Sequence, residues 1–382
     1  MVAIVQLALA SEAEKIMSEN KPAGQSPATS GIGSRKVDHI ALCATGDVGF
    51  HGTTTLLEGV RLMHDALPDL RYDELDAGIA LFGKRLKLPL CIASMTGGTE
   101  EATRINRDLA AVAEARGLAF GVGSQRAMFV RPETATSYRI RDVAPTAVVL
   151  GNLGVVQARE MKTTEIAKLV DAIGADALCI HLNPAMELVQ PGGDRDFSGG
   201  LLAITRIVKE LAVPVIVKET GCGISEKVAK RLKNVGVQHV DVSGAGGTSW
   251  VGVETKRAEA LNDAPSKQLG ESFWNWGIPT AASVAMCASV GFETIFATGG
   301  IKSGMDIARA ISLGANLGGI ARPMLQAVRE HGEKGAHAFV DVIEAELRAA
   351  MLLTGSKNVN ALRNAEKIVV GELALWLSRE RA

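Results

Sequence analysis

Eight short apolar runs, separated for the most part by amphipathic stretches, constrain this chain more than any other feature. The runs are Leu88–Ser94, Leu118–Gly123, Ala147–Leu150, Ala177–Leu182, Val213–Lys218, His239–Ser243, Thr294–Thr298 and Leu317–Ala321. Most are continuously apolar or β-branched, as strands buried on both faces should be. Between them, Arg104–Arg116 carries Ile105, Leu109, Val112 and Ala113 at helical spacing. Thr164–Ile173, Leu202–Leu211, Ser225–Val235, Pro279–Ser289 and Ser303–Leu313 repeat that pattern. Thr163, Ser225 and Ser303 read as N-caps, and Gly117, Gly174, Gly236 and Gly314 stand where helix-ending glycines belong.

Strand-then-helix units in this number predict an α/β protein, a (β/α)8 TIM barrel, against the competing open doubly wound sheet. Polar or glycine-rich residues follow almost every run: Met95-Thr96-Gly97-Gly98, Ser124-Gln125-Arg126, Gly151-Asn152, His181-Leu182-Asn183, Lys218-Glu219, Ser243-Gly244, Gly299-Gly300 and Arg322. A barrel brings all of these to one rim, whereas an open sheet would gather only those at its switch point.

Composition excludes several classes. The 382 residues hold 41 Lys+Arg and 42 Asp+Glu, a net charge of -1, so no basic excess serves nonspecific nucleic-acid binding. With 41 glycines and 4% aromatics, backbone-lined ligand sites are expected before aromatic stacking surfaces. Cys43, Cys91, Cys179, Cys222 and Cys287 are odd in number and form no C-x-x-C pair, which points to a cytoplasmic protein without a disulfide framework or zinc site. No stretch is apolar for the ~20 residues of a membrane span. The apolar start lacks a basic n-region and meets Glu12 and Glu14 at once, a poor signal peptide. Ser18–Gly33 reads as a polar flexible arm, so residues 1–34 are assigned to an N-terminal extension and 35–382 to the barrel with its flanking segments.

The motifs at the strand ends each carry two readings. Thr298-Gly299-Gly300-Ile301-Lys302-Ser303 and Gly318-Gly319-Ile320-Ala321-Arg322 are either tight turns or a phosphate cradle of backbone N–H groups at the barrel's last two units. Gly244-Ala245-Gly246-Gly247-Thr248 allows close backbone approach to a ligand but departs from a dinucleotide fingerprint. Lys218 at an apolar strand's end is either salt-bridged or used, for example to stabilise an electron-rich ring. His181 and Asn183 share a face if their strand persists. Glu187 is either a helix-start carboxylate or a ligand for a hard cation together with phosphates. Arg35, Lys36 and His39 place three anion ligands in five residues, or form a surface basic cluster.

Taken together, RKVDH, TTTLLEGVRLMHDALPDL, LFGKRL, MTGGT, GVGSQRAMF, GNLG, HLN, GDRDFSGG, VKETGCGI, DVSGAGGTSW, WGIPTAA and ATGGIKSGMDIARAISLGA resemble the type 2 isopentenyl-diphosphate isomerases, from about Arg35 to the C-terminus. The resemblance implies a barrel that binds FMN, uses Mg²⁺, is primed by NADPH or another reductant and assembles as a homotetramer. It implies interconversion of isopentenyl and dimethylallyl diphosphate without net oxidation. By motif, the resemblance assigns FMN contacts to Thr96, Gly97, Ser124, Asn152, Lys218, Ser243, Thr248, Gly299, Gly300, Ala321 and Arg322. It assigns the prenyl diphosphate to Arg35, Lys36, His39, Arg126, His181 and Asn183, Mg²⁺ to Glu187, and the reacting end to Trp250 and Glu254.

One departure matters. Where the family reads HLN-x-x-Q-E, this chain has Met186 in place of the glutamine, and Gly192 stands where the family has a glutamate. A thioether cannot donate a proton. Either the flavin alone handles the proton and Met186 is tolerated, or the chain acts on another prenyl or terpenoid diphosphate or with an altered reaction.

Overall fold

The computed structural model describes residues 31–378, with side chains from residue 35 onward. Eight parallel strands close into a barrel: β1 (Leu90–Ile92), β2 (Ala119–Gly121), β3 (Val148–Gly154), β4 (Ala177–His181), β5 (Val215–Lys218), β6 (His239–Asp241), β7 (Thr294–Ala297) and β8 (Leu317–Ile320). Each pairs with its sequence neighbours, and β8 returns to β1 through Gly318↔Leu90, so the ring leaves no edge. The eight strands fall on the eight apolar runs, and the open sheet is excluded.

Side chains alternate across each strand because Cβ atoms point to opposite faces in turn. Val148, Leu150, Ala177 and Cys179 turn into the lumen with Cys91, Ile216, Phe296 and Leu317. Val149, Leu153, Leu178 and Ile180 turn outward and join the larger core under the helices. The lumen is closed below by a hairpin that sequence reading did not anticipate. Its strands, Ile79–Leu81 and Lys84–Leu86, turn through Phe82 and Gly83, both at positive φ, as a two-residue hairpin loop requires. Leu81 and Leu86 plug the lumen, and the Phe82 ring meets His239 edge-on at 5.1 Å.

The helical stretches form with the expected punctuation. Ser225 and Ser303 accept the backbone N–H of Val228 and Asp306, and Gly117, Gly174, Gly236 and Gly314 all have positive φ. Thr163 is not a cap but the first helical residue after Lys162; its hydroxyl bonds Glu210 instead. The largest addition lies between β6 and β7, where α4 (Trp250–Ala260) and Ala264–Phe273 precede Thr280–Ala288.

The remaining elements that shape the mouth are α1 (Gly31–Thr45), α2 (Arg126–Val130), α3 (Pro184–Val189) and α5 (Arg322–Leu353), the last kinked at His331 and Gly332. Helix α1 begins before the expected barrel start at residue 35, and most of the expected arm lies outside the described residues. No helix among the described residues is long and apolar enough to cross a membrane.

Candidate active site

The alternation that fills the lumen with apolar groups ends, at the C-terminal rim, in a polar layer. In parallel register His181 stands beside Lys218, and Lys218 beside Asp241. Lys218 Nζ lies 3.7 Å from Asp241 Oδ2, and Asp241 Oδ1 accepts the Thr298 hydroxyl at 2.5 Å. His181 Nδ1 is 2.7 Å from Asn152 Oδ1. Lys218, Asp241, Asn152 and Thr298 are all buried. Burial, reinforced by Lys218, pushes His181 down to about 3, so its imidazole is neutral and works as a hydrogen-bonding group rather than a cation. Burial raises Asp241 above the ordinary carboxylate range, although Lys218 and Thr298 oppose it. The salt-bridge reading of Lys218 is therefore realised, with Asp241 as partner. Its neighbour Glu219 turns away and accepts the N–H groups of Thr220, Gly221 and Cys222.

Above this layer lie the loops. Thr96, on the β1 loop, is buried, and its hydroxyl oxygen has no hydrogen-bond partner. The glycine turns after β6 and β7 pack backbone to backbone: a Cβ on Gly247 would stand 2.3 Å from the Gly300 nitrogen, and one on Gly299 would stand 2.1 Å from the Gly244 oxygen. Only glycine permits that approach. Ser243 holds a positive φ of 37° without being glycine. Ala321 precedes the first residue of α5. Arg322 does not present its donors to the turns: it bonds the carbonyls of Cys43 (2.9 Å) and Gly46 (2.6 Å) at the end of α1.

On one side of the mouth, β4 stops at His181, so Asn183 does not continue the alternation; it precedes α3 and donates to Glu187 Oε1 at 2.9 Å. Glu187 also accepts from Gln190 and from the Asp194 N–H. Asp194 in turn holds Gln157 at 2.9 Å and stands 4.0 Å from Arg126. Met186 Sδ is 3.9 Å from Asn183 Nδ2. Gly192 closes a turn at φ 69°, in open space, where a side chain would strain the backbone.

On the other side, α1 meets α4. His39 Nε2 is 2.7 Å from Glu254, which also binds Arg257 at 2.7 Å; Arg257 reaches Asp38 at 3.2 Å. Burial acts to raise Glu254, but His39 and Arg257 together hold it below the usual range. The Trp250 ring packs edge-on to His39 at 5.2 Å. Lys36 reaches the carbonyls of Gly97 and Ser124 and the hydroxyl of Tyr138. Arg35 precedes it on α1. Thr248 bridges to Gly49, and Ser249 caps α4.

Asp241 and Tyr138 carry no local signal that would mark them in the sequence, and Gln125, at a polar strand end, shows its role only in the fold. Asp241 lies inside the apolar run His239–Ser243. Gln125, within GSQR, is fully buried and ties Leu169 to Asn152. Tyr138 lies outside every motif; nothing local distinguishes it from a core aromatic.

Residues 200–369 match the sequence profile of a family described as FMN-dependent dehydrogenase. The isopentenyl-diphosphate delta-isomerase of Methanosarcina mazei is 45% identical over 88% of this chain and 92% of its own length. That of Methanothermobacter thermautotrophicus is 43% identical over 91% and 96%. The chain belongs to the type 2, FMN-dependent isopentenyl-diphosphate delta-isomerase family. It is therefore an enzyme of the isomerase class. Among solved structures, mandelate oxidase bound to an FMN adduct matches with a TM-score of 0.61 at 17% identity, over 86% of this chain and 95% of that one, a likeness of fold.

The residues present fit the family's flavin. Thr96 offers a buried hydroxyl with an unmet partner, the glycine turns offer close backbone approach, and Lys218 offers a cation at the lumen's end. For a divalent cation the fit is narrower. No cluster of three or more His, Cys, Asp or Glu suited to a metal exists among the described residues, so Glu187 would hold Mg²⁺ only together with diphosphate oxygens.

Proposed function

We propose that this enzyme interconverts isopentenyl diphosphate and dimethylallyl diphosphate, adding a proton at one carbon of the alkene and removing one from another. The observation that carries the reading is the unpartnered, buried Thr96 hydroxyl above a polar layer that includes Lys218 and His181, at the rim of a family-matched barrel. Reduced FMN, when bound there, supplies the acid/base group and an electron-rich ring that an alkene protonation needs. The chain's own residues bind, orient and exclude water. His39, Arg126, His181 and Asn183, with Arg35 and Lys36 from α1, supply the donors for a diphosphate, and Glu187 supplies the carboxylate for Mg²⁺. Trp250 and Glu254 border the hydrocarbon end, with Glu254 fixed between His39 and Arg257. NADPH or another reductant is oxidised once in priming the flavin and is not consumed at each turnover.

Assembly as a homotetramer in the cytoplasm completes the reading. It is supported by Phe273 and Trp276, in ring contact and 41% and 60% exposed, and by five cysteines outside any disulfide.

The test is anaerobic incubation of the FMN-loaded, reduced enzyme with isopentenyl diphosphate in D₂O. Dimethylallyl diphosphate carrying deuterium is expected; neither product nor exchange would reject the reading. Met186 favours one second reading, a relative acting on another prenyl or terpenoid diphosphate. High isomerase turnover, unchanged by Met186→Gln, removes its basis.

A further inference from the structure

Lys36 carries three N–H donors on its ammonium, and the fold offers three acceptors to them. These are the Gly97 carbonyl, the Ser124 carbonyl at 3.3 Å and the Tyr138 hydroxyl at 2.8 Å. Gly97 and Ser124 belong to the loops after β1 and β2, two of the loops assigned above to the flavin. The third acceptor, Tyr138, has no solvent exposure. Its hydroxyl takes one hydrogen bond from Lys36 and donates its own to the Ser124 carbonyl at 2.8 Å.

The surroundings hold Tyr138 in place. A Cβ on Gly97 would come within 2.2 Å of the Tyr138 ring, so the loop's glycine is matched to that ring. Ser137, next in chain, accepts the Gly98 N–H at 2.6 Å, and Asn106 joins the Ser137 carbonyl to that of Thr96. The Pro132–Ser137 turn and Tyr138 thus brace the β1 loop from behind, while Lys36 crosses from α1 to the same point.

We propose that Tyr138 is a positioning residue: acting through Lys36, it fastens the segment 36–48, which carries His39, onto two of the loops assigned to the flavin. Docking of that segment and ordering of the flavin loops are then coupled. The catalytic consequence rests on the proposed function above; the fastening itself does not.

The test uses the full chain and three variants: Tyr138→Phe, which keeps the ring, Lys36→Met, and the pair. Hydrogen–deuterium exchange reads the amides of residues 36–48. Tyr138→Phe is expected to speed exchange there about tenfold, the loss of one hydrogen bond to a charged group, and Lys36→Met, which gives up all three, by more. The double variant is expected to exchange no faster than Lys36→Met alone, because coupled residues are not additive. FMN titration of the stripped protein should show a several-fold weaker Kd in both singles. KM for isopentenyl diphosphate should rise about tenfold in Tyr138→Phe while kcat stays within about threefold.

Exchange in Tyr138→Phe equal to that of the unaltered chain would overturn the proposal, as would additive effects in the double variant. Faster exchange spread evenly over the barrel would do the same, since it reports general destabilisation. A chain that takes up no FMN, yet shows the segment-specific and non-additive exchange, would sink the proposed function and leave the fastening standing.

Discussion

Lys218 and Asp241 stand side by side at the ends of adjacent parallel strands, 3.7 Å apart and both buried. Apolar residues of similar volume would be at least as stable there, because desolvation offsets most of the attraction. The pair is better understood as holding a cation beneath the site than as stabilising the barrel. Asp241→Asn strips the ammonium of its counter-charge inside a low-dielectric lumen. The expected cost is about 3 kcal/mol in urea unfolding, with weakened FMN retention. A stability change below about 1 kcal/mol would show that water, rather than Asp241, compensates Lys218.

His181 gives the protein an acid limit. Its folded value of about 3 lies below the 6.5 of the free side chain, so at low pH the unfolded chain binds a proton that the folded chain refuses. Stability is therefore full above about pH 6.5 and is lost as pH falls toward 3, at up to about 1.4 kcal/mol per pH unit from this group. Glu219 works in the opposite sense: burial raises it to about 7, so its share of stability is lost as pH rises from 4.5 to 7. Denaturation curves across pH 4 to 7 for the parent and His181→Gln check the first claim. An identical slope in both would remove it.

Gly97→Ala tests how tightly the β1 loop is matched to the ring behind it. The added methyl would lie 2.2 Å from a Tyr138 ring carbon in a site with no exposure. Overpacking of this kind costs about 1–3 kcal/mol, and the displaced loop should lose FMN. Normal flavin uptake by the folded variant would mean that the loop yields without consequence.

Met186→Gln bears on the chemistry. If the flavin alone handles the proton, turnover of isopentenyl diphosphate changes by less than about threefold, since the thioether neither donates nor strongly accepts. A gain of a hundredfold would instead mark this chain as one whose site has moved away from that substrate.

Much of this was legible in order of residues alone. The eight strands came through because each is a short apolar run closed by a polar or glycine-rich end, a pattern that local composition preserves. The hairpin below the lumen did not, because its strands are three residues long and carry Lys84 and Arg85 between their two lumen-facing leucines. The α4 helix did not, because it opens directly from the glycine loop and Val251 to Thr255 are buried without a break, leaving no clear apolar stripe.

The site divides along the same line. Motif and strand-end position brought His181, Lys218, Glu187 and the glycine turns into view, since those depend on neighbours in the chain. Which atom answers which required the closed ring. Asp241 pairs with Lys218 because two strands lie in register, and Tyr138 meets Lys36 across 102 residues because α1 crosses the rim. Sequence alone determined the strands, the barrel class and the residue types at its mouth, because periodicity and turn chemistry are local. Tertiary structure alone decided the charge partners, the neutrality of His181 and the fastening of α1, because burial and long-range contact exist only once the chain has closed on itself.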